Sequence, residues 1–363
     1  MKVKIYGAGS IGNHLAHASR KLGWSVDICD VDSEALKRTK EEIYPSRYGE
    51  WDKEINLYLN SDAPIGGYDL IFIGTPPDYH LSLAINALDE KPKAILVEKP
   101  VCGPNLEDAN KFYEKAKSMG VAAFVGYDHV VSLAAKKFVS SFKNSFGKLF
   151  TLDVEFREHW GGIFSAHPWL DGPQDSYLGS SERGGGASSE HSHAANLWQY
   201  FSYELGGGRI IEVQAMLDII KTDKLDYDQL CVMNFKTENN LIGRCVQDVV
   251  TSPPRKWARA QFKDANIELS VGYEPGLDKV ISRTSTNENN EFDIKKTRPD
   301  DFIEELKHIE SALSTNPDQS PINITHGLDT MLVVAAAHKS SLTGRTVKID
   351  YSRGYTLDSL IIN

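Results

Sequence analysis

Lys2-Val3-Lys4-Ile5-Tyr6-Gly7-Ala8-Gly9-Ser10-Ile11-Gly12 is the stretch whose reading decides the fold. Residues 2–6 form a short strand-like run, and three glycines follow at GxGxxG spacing. Apolar residues then recur at Ile11, Leu15, Ala18 and Leu22, a helical repeat that stops at Gly23. Strand, tight turn and helix form the context in which this glycine pattern carries meaning. Gly7 permits the turn, Gly9 lets the backbone approach a pyrophosphate, and Gly12 lets the helix pack on the strand, with the N–H groups of Ser10 and Ile11 facing the anion. A second strand, 25–29, ends in Asp30, eighteen residues past Gly12, close to where an acid binds a ribose 2′-hydroxyl. A carboxylate there repels a 2′-phosphate, so NAD is predicted over NADP. The plainer alternative for Asp30 is a strand-end turn residue.

The alternation continues outward. Residues 53–67 are polar and read as helix and loop. Apolar runs at 69–74, 94–97 and 122–125 read as buried parallel strands, and 78–88 and 106–119 as helices. This predicts a doubly wound parallel sheet, with ligands at the carboxyl ends of its strands. Thr75, Pro76, Glu98, Lys99 and Tyr127 fall at those ends, and His80 opens the helix after Pro76.

The net charge of −10 over 363 residues argues against a nucleic-acid partner, since phosphate binding draws on Lys and Arg. Four cysteines, at 29, 102, 231 and 245, form no CxxC pair and read as reduced thiols. No apolar run approaches the ~20 residues of a membrane span and no signal peptide is read, so the expected location is cytoplasmic.

Beyond residue 125 the pattern changes. Residues 133–145 read as a helix and 149–156 as a strand, while 157–186 lack periodicity but hold His159, Trp160, His167, Trp169 and Tyr177. Aromatic faces beside polar groups suit a polyhydroxylated ligand such as a sugar; packing of the loop is the alternative. Alternating segments at 210–217, 229–235, 241–249, 256–262, 265–271 and 277–282 predict an open, mostly antiparallel sheet. Residues 300–313 and 327–342 read as helices and 344–349 as a closing strand. The expected division is a dinucleotide-binding domain at 1–125 and an α+β substrate-binding and oligomerisation domain at 126–363.

Residues 183–196, Arg-Gly-Gly-Gly-Ala-Ser-Ser-Glu-His-Ser-His-Ala-Ala-Asn, concentrate titratable groups beside glycine. A metal site is disfavoured, because His191 and His193 stand two apart rather than three or four and no third ligand is evident. A phosphate loop is disfavoured, because no Lys-Ser/Thr follows Gly184-Gly185-Gly186. Acid/base chemistry suits the segment, since oxidising a secondary alcohol needs a group to take the hydroxyl proton and histidine titrates in the right range.

With these residues in hand, the chain resembles the Gfo/Idh/MocA oxidoreductases. The resemblance rests on the glycine loop, Thr75-Pro76 followed by His80, Glu98-Lys99-Pro100 and Gly126-Tyr127, and extends over nearly the whole chain. It implies a cofactor site at Gly7, Gly9, Ser10, Ile11, Gly12, Asp30, Thr75, Pro76, His80, Glu98 and Lys99, with Lys99 beside the nicotinamide, bonded to the oxygen that changes oxidation state. The family's Gly-Gly-Gly, Asp-x-Gly-x-His stretch maps its proton acceptor onto His193, with Asn196 in place of the later acid. Glu190 stands three before His193 where the family's acid stands four before, so His191 remains a rival base. The chain also departs from the family at Asp128-His129-Val130, where Asn-x-Arg is common. The activity implied is hydride transfer between nicotinamide and a hydroxyl-bearing carbon of a sugar, inositol or nucleotide-sugar, with Tyr127, His159, Trp160, His167, Trp169, Tyr177, Glu190, His191 and His193 as substrate contacts. The family also implies a homodimer or homotetramer joined through the open sheet. The rival readings are a non-catalytic NAD-binding regulator of the same fold, a reductase of a non-sugar carbonyl or imine, and an enzyme that recycles its cofactor in place.

Overall fold

The computed structural model describes residues 1–166 and 170–363; the expectations placed on His167 and Trp169 lie outside the described residues. The chain forms two compact units. One comprises Met1–Val101, Asp108–Asp128 and Arg298–Gly327, the other Cys102–Glu107, His129–Thr297 and Leu328–Asn363.

The first unit begins β1 (Lys2–Tyr6), α1 (Ser10–Lys21), β2 (Ser25–Asp30), α2 (Ser33–Arg38), a π turn (Thr39–Ile43), α3 (Tyr44–Tyr48), β3 (Ile55–Leu59), β4 (Leu70–Ile73), α4 (His80–Ala87), β5 (Ala94–Val97), α5 (Ala109–Met119) and β6 (Ala122–Val125). Its six strands run parallel in the order β3-β2-β1-β4-β5-β6, the doubly wound sheet expected. Every residue of β4 and β5 is buried, as continuous apolar runs in a parallel sheet require. Lys4 breaks that rule within β1, but its ammonium is paired at 2.7 Å with Glu90, so the charge is compensated. The expectation of helix and loop at 53–67 is corrected by β3. This strand pairs with β2 at the sheet edge and buries only Ile55, so its apolar signal is weak.

The chain continues with α6 (Asp128–Val131), α7 (Leu133–Ser140), β7 (Leu149–Arg157), α8 (Gly161–Ala166), α9 (Gly186–Glu190) and α10 (His193–Glu204). Seven strands follow: β8 (Ile210–Lys221), β9 (Asp226–Thr237), β10 (Ile242–Asp248), β11 (Arg255–Phe262), β12 (Ala265–Glu274), β13 (Leu277–Thr284) and β14 (Asn289–Lys295). After α11 (Arg298–Ser314) and α12 (Ile324–Thr343), β15 (Val347–Ile349) and β16 (Leu360–Ile362) complete a ten-stranded sheet ordered β14-β13-β12-β11-β7-β10-β9-β8-β15-β16. Only β7 and β10 pair in parallel; the remaining pairs are antiparallel. The short α8 lies in the stretch read as aperiodic, and β14 in one that gave no strand signal, because its residues are mostly charged or amide.

On one face of this sheet α10 packs against β7 and β10, with the Trp198 indole donating to the Leu152 carbonyl at 2.9 Å. On the other, the register sets Met216, Val232 and Val246 in a row across β8, β9 and β10, and Met216 is 78% exposed. The segment 298–327 belongs with the first unit. There α11 packs on α1, and the Val125 N–H donates to the Ile322 carbonyl at 2.8 Å. No helix among the described residues is long and apolar enough to cross a membrane.

Candidate active site

In the glycine loop Gly7 and Gly12 meet steric limits and Gly9 stands in open space. Gly7 has φ +106°, and a Cβ there would stand 2.6 Å from the Gly74 carbonyl oxygen. A Cβ on Gly12 would collide with the Gly7 carbonyl oxygen, so the helix approaches the turn as only glycine allows. A Cβ on Gly9 would meet nothing within 4 Å, which leaves open space above the loop. Gly9 is the N-cap of α1, offers no capping side chain, and no acid stands in the first turn, so the leading N–H groups are left for an external anion. These features fit a dinucleotide. Asp30 accepts from the Ala8 N–H at 2.7 Å and the Asp32 N–H at 3.0 Å, so the acid braces the loop beside which a ribose would lie.

Around the carboxyl end of β5, His80 is buried with Nδ1 2.9 Å from the Pro100 carbonyl oxygen and Nε2 2.7 Å from that of Thr75. Burial pushes its imidazole down to about 4, so the neutral ring has a single N–H to donate, to the carbonyl of either Thr75 or Pro100, and packs between the two loops. Glu98 is buried against Gly126, where any Cβ would meet its carboxylate at 2.7 Å. Burial pushes the Glu98 carboxyl up to about 8; Lys99 opposes that shift and Asp128 adds to it. Glu305 of α11, wholly buried, is held well above the carboxylate range by burial and then by Glu98 and Asp128. Lys99 is half-buried at this strand end, and Tyr127 is fully buried.

In the second unit the glycine run is a packing device. Gly186 has φ +81° and a Cβ there would strike the Asp228 carboxylate; a Cβ on Gly185 would strike the Tyr177 carbonyl oxygen. Asp228, fully buried, accepts from the Ser188 N–H at 2.7 Å and the Ser188 hydroxyl at 3.0 Å, and His338 Nε2 stands 2.9 Å from that hydroxyl. Burial pushes Asp228 up to about 7 and His338 down to about 4. Anchored this way, α9 delivers Glu190, whose carboxylate accepts from the Tyr177 hydroxyl at 3.2 Å. The two neighbouring histidines differ. His191 is buried with Nε2 3.3 Å from the Glu158 carbonyl oxygen, whereas His193 is half-buried and its ring meets His129 edge-on at 4.7 Å. Trp160 is spent in packing against Leu178, Ala187, Tyr227 and Val249, while His159 is exposed and accepts from the Gly161 N–H.

Sequence reasoning passed over His129 and Asp228. His129 stands where the family pattern breaks, which was a usable signal. Asp228 sits within an ordinary strand pattern and gives none.

Residues 1–127 match the family model described as Oxidoreductase family, NAD-binding Rossmann fold, GFO_IDH_MocA. The first 127 residues are thus similar to the NAD-binding Rossmann domain of that family. Among curated proteins none matches. Solved structures share the fold across nearly the whole chain. An oxidoreductase from Agrobacterium radiobacter, in complex with NAD+, L-tartaric acid and magnesium, is 19% identical, with 96% of this chain and 98% of that one covered and a TM-score of 0.74. The WlbA dehydrogenase from Bordetella pertussis, in complex with NADH and UDP-GlcNAcA, is 18% identical with the same coverage and a TM-score of 0.70. Levoglucosan dehydrogenase with NADH and L-sorbose is 15% identical, again with 96% and 98% covered, at a TM-score of 0.73.

Proposed function

We propose that the protein is an NAD-dependent oxidoreductase that moves hydride between nicotinamide and a hydroxyl-bearing carbon of a sugar, inositol or nucleotide-sugar. The observation that carries this reading is the uncapped glycine loop of the first unit; the second unit holds a polar group of its own in Tyr177, Glu190 and His193. Residues 1–125, with 298–327 of the same unit, serve the cofactor; the rest of 126–363 serves the substrate and self-association. Bound NAD supplies the hydride acceptor. Asp30, which we assign to a ribose hydroxyl, favours NAD over NADP.

The chain's own residues handle charge and protons. The Lys99 ammonium donates to the substrate oxygen and stabilises the negative charge that builds there as the hydroxyl proton leaves. His193 takes that proton. His191 is the weaker candidate, since it is buried against a backbone carbonyl. Glu190, held by Tyr177, receives a neighbouring substrate hydroxyl. Thr75, Pro76 and His80 shape the strand-end loops, and Trp160 holds the loop from which His159 reaches substrate. The relatives solved with UDP-GlcNAcA and L-sorbose support the sugar class. The row of exposed Met216 beside half-buried Val232 and Val246 supports self-association through the outer sheet face, which Met216→Glu would weaken on a sizing column.

The test is NADH formation from NAD across a panel of sugars, inositols and nucleotide-sugars, with wild type beside Lys99→Ala. Turnover of one class by wild type, lost in the variant, is the expected outcome. Tight NAD binding with no turnover of any panel member in either direction would leave a regulator and sink the enzymatic reading.

A further inference from the structure

Two arginines approach the dinucleotide helix, Arg47 directly at Ser10 and Arg298 through Phe302. Arg47, in α3, donates through Nη1 to the carbonyl of Ser10 at 3.0 Å, and the same nitrogen stands 3.4 Å from His14 Nε2. His14 is held at Nδ1 by the Tyr48 hydroxyl and stacked on Phe302 of α11, ring centroids 4.7 Å apart and planes within 7°. Arg298, four residues before Phe302 on the same helix face, lies 5.5 Å from the centroid of that phenyl ring. Both guanidiniums therefore rest against one His14–Phe302 stack.

Neither forms an ion pair among the described residues, although Arg298 acts on the buried Glu98 carboxyl and opposes its upward shift. The contacts of Arg47 are a carbonyl and an imidazole and that of Arg298 is a ring, and among the described residues no carboxylate pairs with either. His14 does not offset them: burial, then Arg298 and Arg47, pushes its imidazole down to about 3. Placing two like charges together costs free energy that an anion would recover. In a chain of net charge −10, this arrangement beside an uncapped helix N-terminus is a site for an anion brought from outside.

We propose that Arg47 and Arg298 bind the diphosphate of the dinucleotide, so that α3 and α11 complete the cofactor site begun by the glycine loop. The proposal rests on the dinucleotide reading of that loop. A planar guanidinium fork suits phosphate oxygens, and α11 carries Arg298 to the site from more than 280 residues away in sequence.

The experiment measures Kd for NAD and for NADP on the full chain, as wild type, Arg47→Gln, Arg298→Gln, the double variant and Arg47→Lys, over a range of salt. Loss of one charged hydrogen bond predicts a roughly 10-fold weaker NAD Kd per arginine, with Arg47→Lys intermediate. NADP should weaken by the same factor, because the diphosphate is common to both, and the dependence of log Kd on log salt should flatten in each variant. An NAD affinity unchanged within about twofold in the double variant overturns the proposal. So does a loss confined to NADP, which would put the guanidiniums at a 2′-phosphate. Should a glutamine variant unfold, Arg47→Lys and the wild-type salt slope decide, and a salt-independent wild-type Kd counts against the proposal. A wild type that binds no NAD at all would instead fail the dinucleotide reading itself.

Discussion

At the scale of single residues the chemistry narrows to a few groups with separate tasks. Replacing Lys99 with Ala removes the group proposed to meet the developing oxyanion, and kcat should fall about 10²–10³-fold with NAD affinity little changed, as steady-state kinetics with a separate NAD titration would show. Replacing His193 with Ala should lower kcat about 10²–10⁴-fold and abolish the acid limb of its pH profile, while His191→Ala, removing a buried ring bonded to a carbonyl, should act mainly on stability. If the pH profile follows His191 instead, the roles are exchanged. The residues that could be read from sequence are those set in a short motif: Gly7, Gly9 and Gly12 stand within six residues between a strand and a helix, and Lys99 stands in a three-residue motif at a strand end. Arg47, Arg298 and Asp228 could not be read in this way, because each gains its meaning from a neighbour dozens or hundreds of residues away.

At the scale of elements, the glycine run and β9 form one device. Gly186→Ala adds a methyl group that strikes the Asp228 carboxylate at a left-handed backbone position, and unfolding by denaturant should show a loss of about 3 kcal/mol. Asp228 also makes this junction sensitive to pH. Its folded carboxyl is pushed up to about 7 by burial from the ordinary 3.8, so between those values the folded chain holds a proton that the unfolded chain has released. Stability from this group is therefore greatest in acid and falls as pH rises toward 7. Asp228→Asn should lack that slope, so the stability difference between wild type and variant should shift in the variant's favour from pH 5 to 8; a constant difference would refute the shift. The sequence was least legible at this scale in β3 and β14. Both run along sheet edges and bury little, so tertiary pairing makes them strands without much apolar alternation. The central strands β4 and β5, buried on both faces, announced themselves.

At the scale of the whole molecule, the order of parallel and antiparallel sheets was readable because period and turn signals repeat over many residues. The return of 298–327 to the first unit was not, since a helix carries no mark of the sheet it will cover. NAD at about 100 times its Kd should raise the unfolding free energy by about 2.7 kcal/mol, and a thermal scan should show Tm rising with NAD concentration. That same return has a consequence for biosynthesis. As the ribosome emits the chain from the N-terminus, β1 through β6 are out long before α11, and residues 129–297 must be made in between. For that interval the nascent sheet has no Ile322 carbonyl for its last strand and no helix over the exposed flank of α1. The unfinished half is an apolar surface of the kind trigger factors shelter, and it closes only when synthesis has passed residue 327. Ribosome-bound chains stalled near residue 297 should be cut by protease within 1–127, and chains stalled well beyond residue 327 should be protected there.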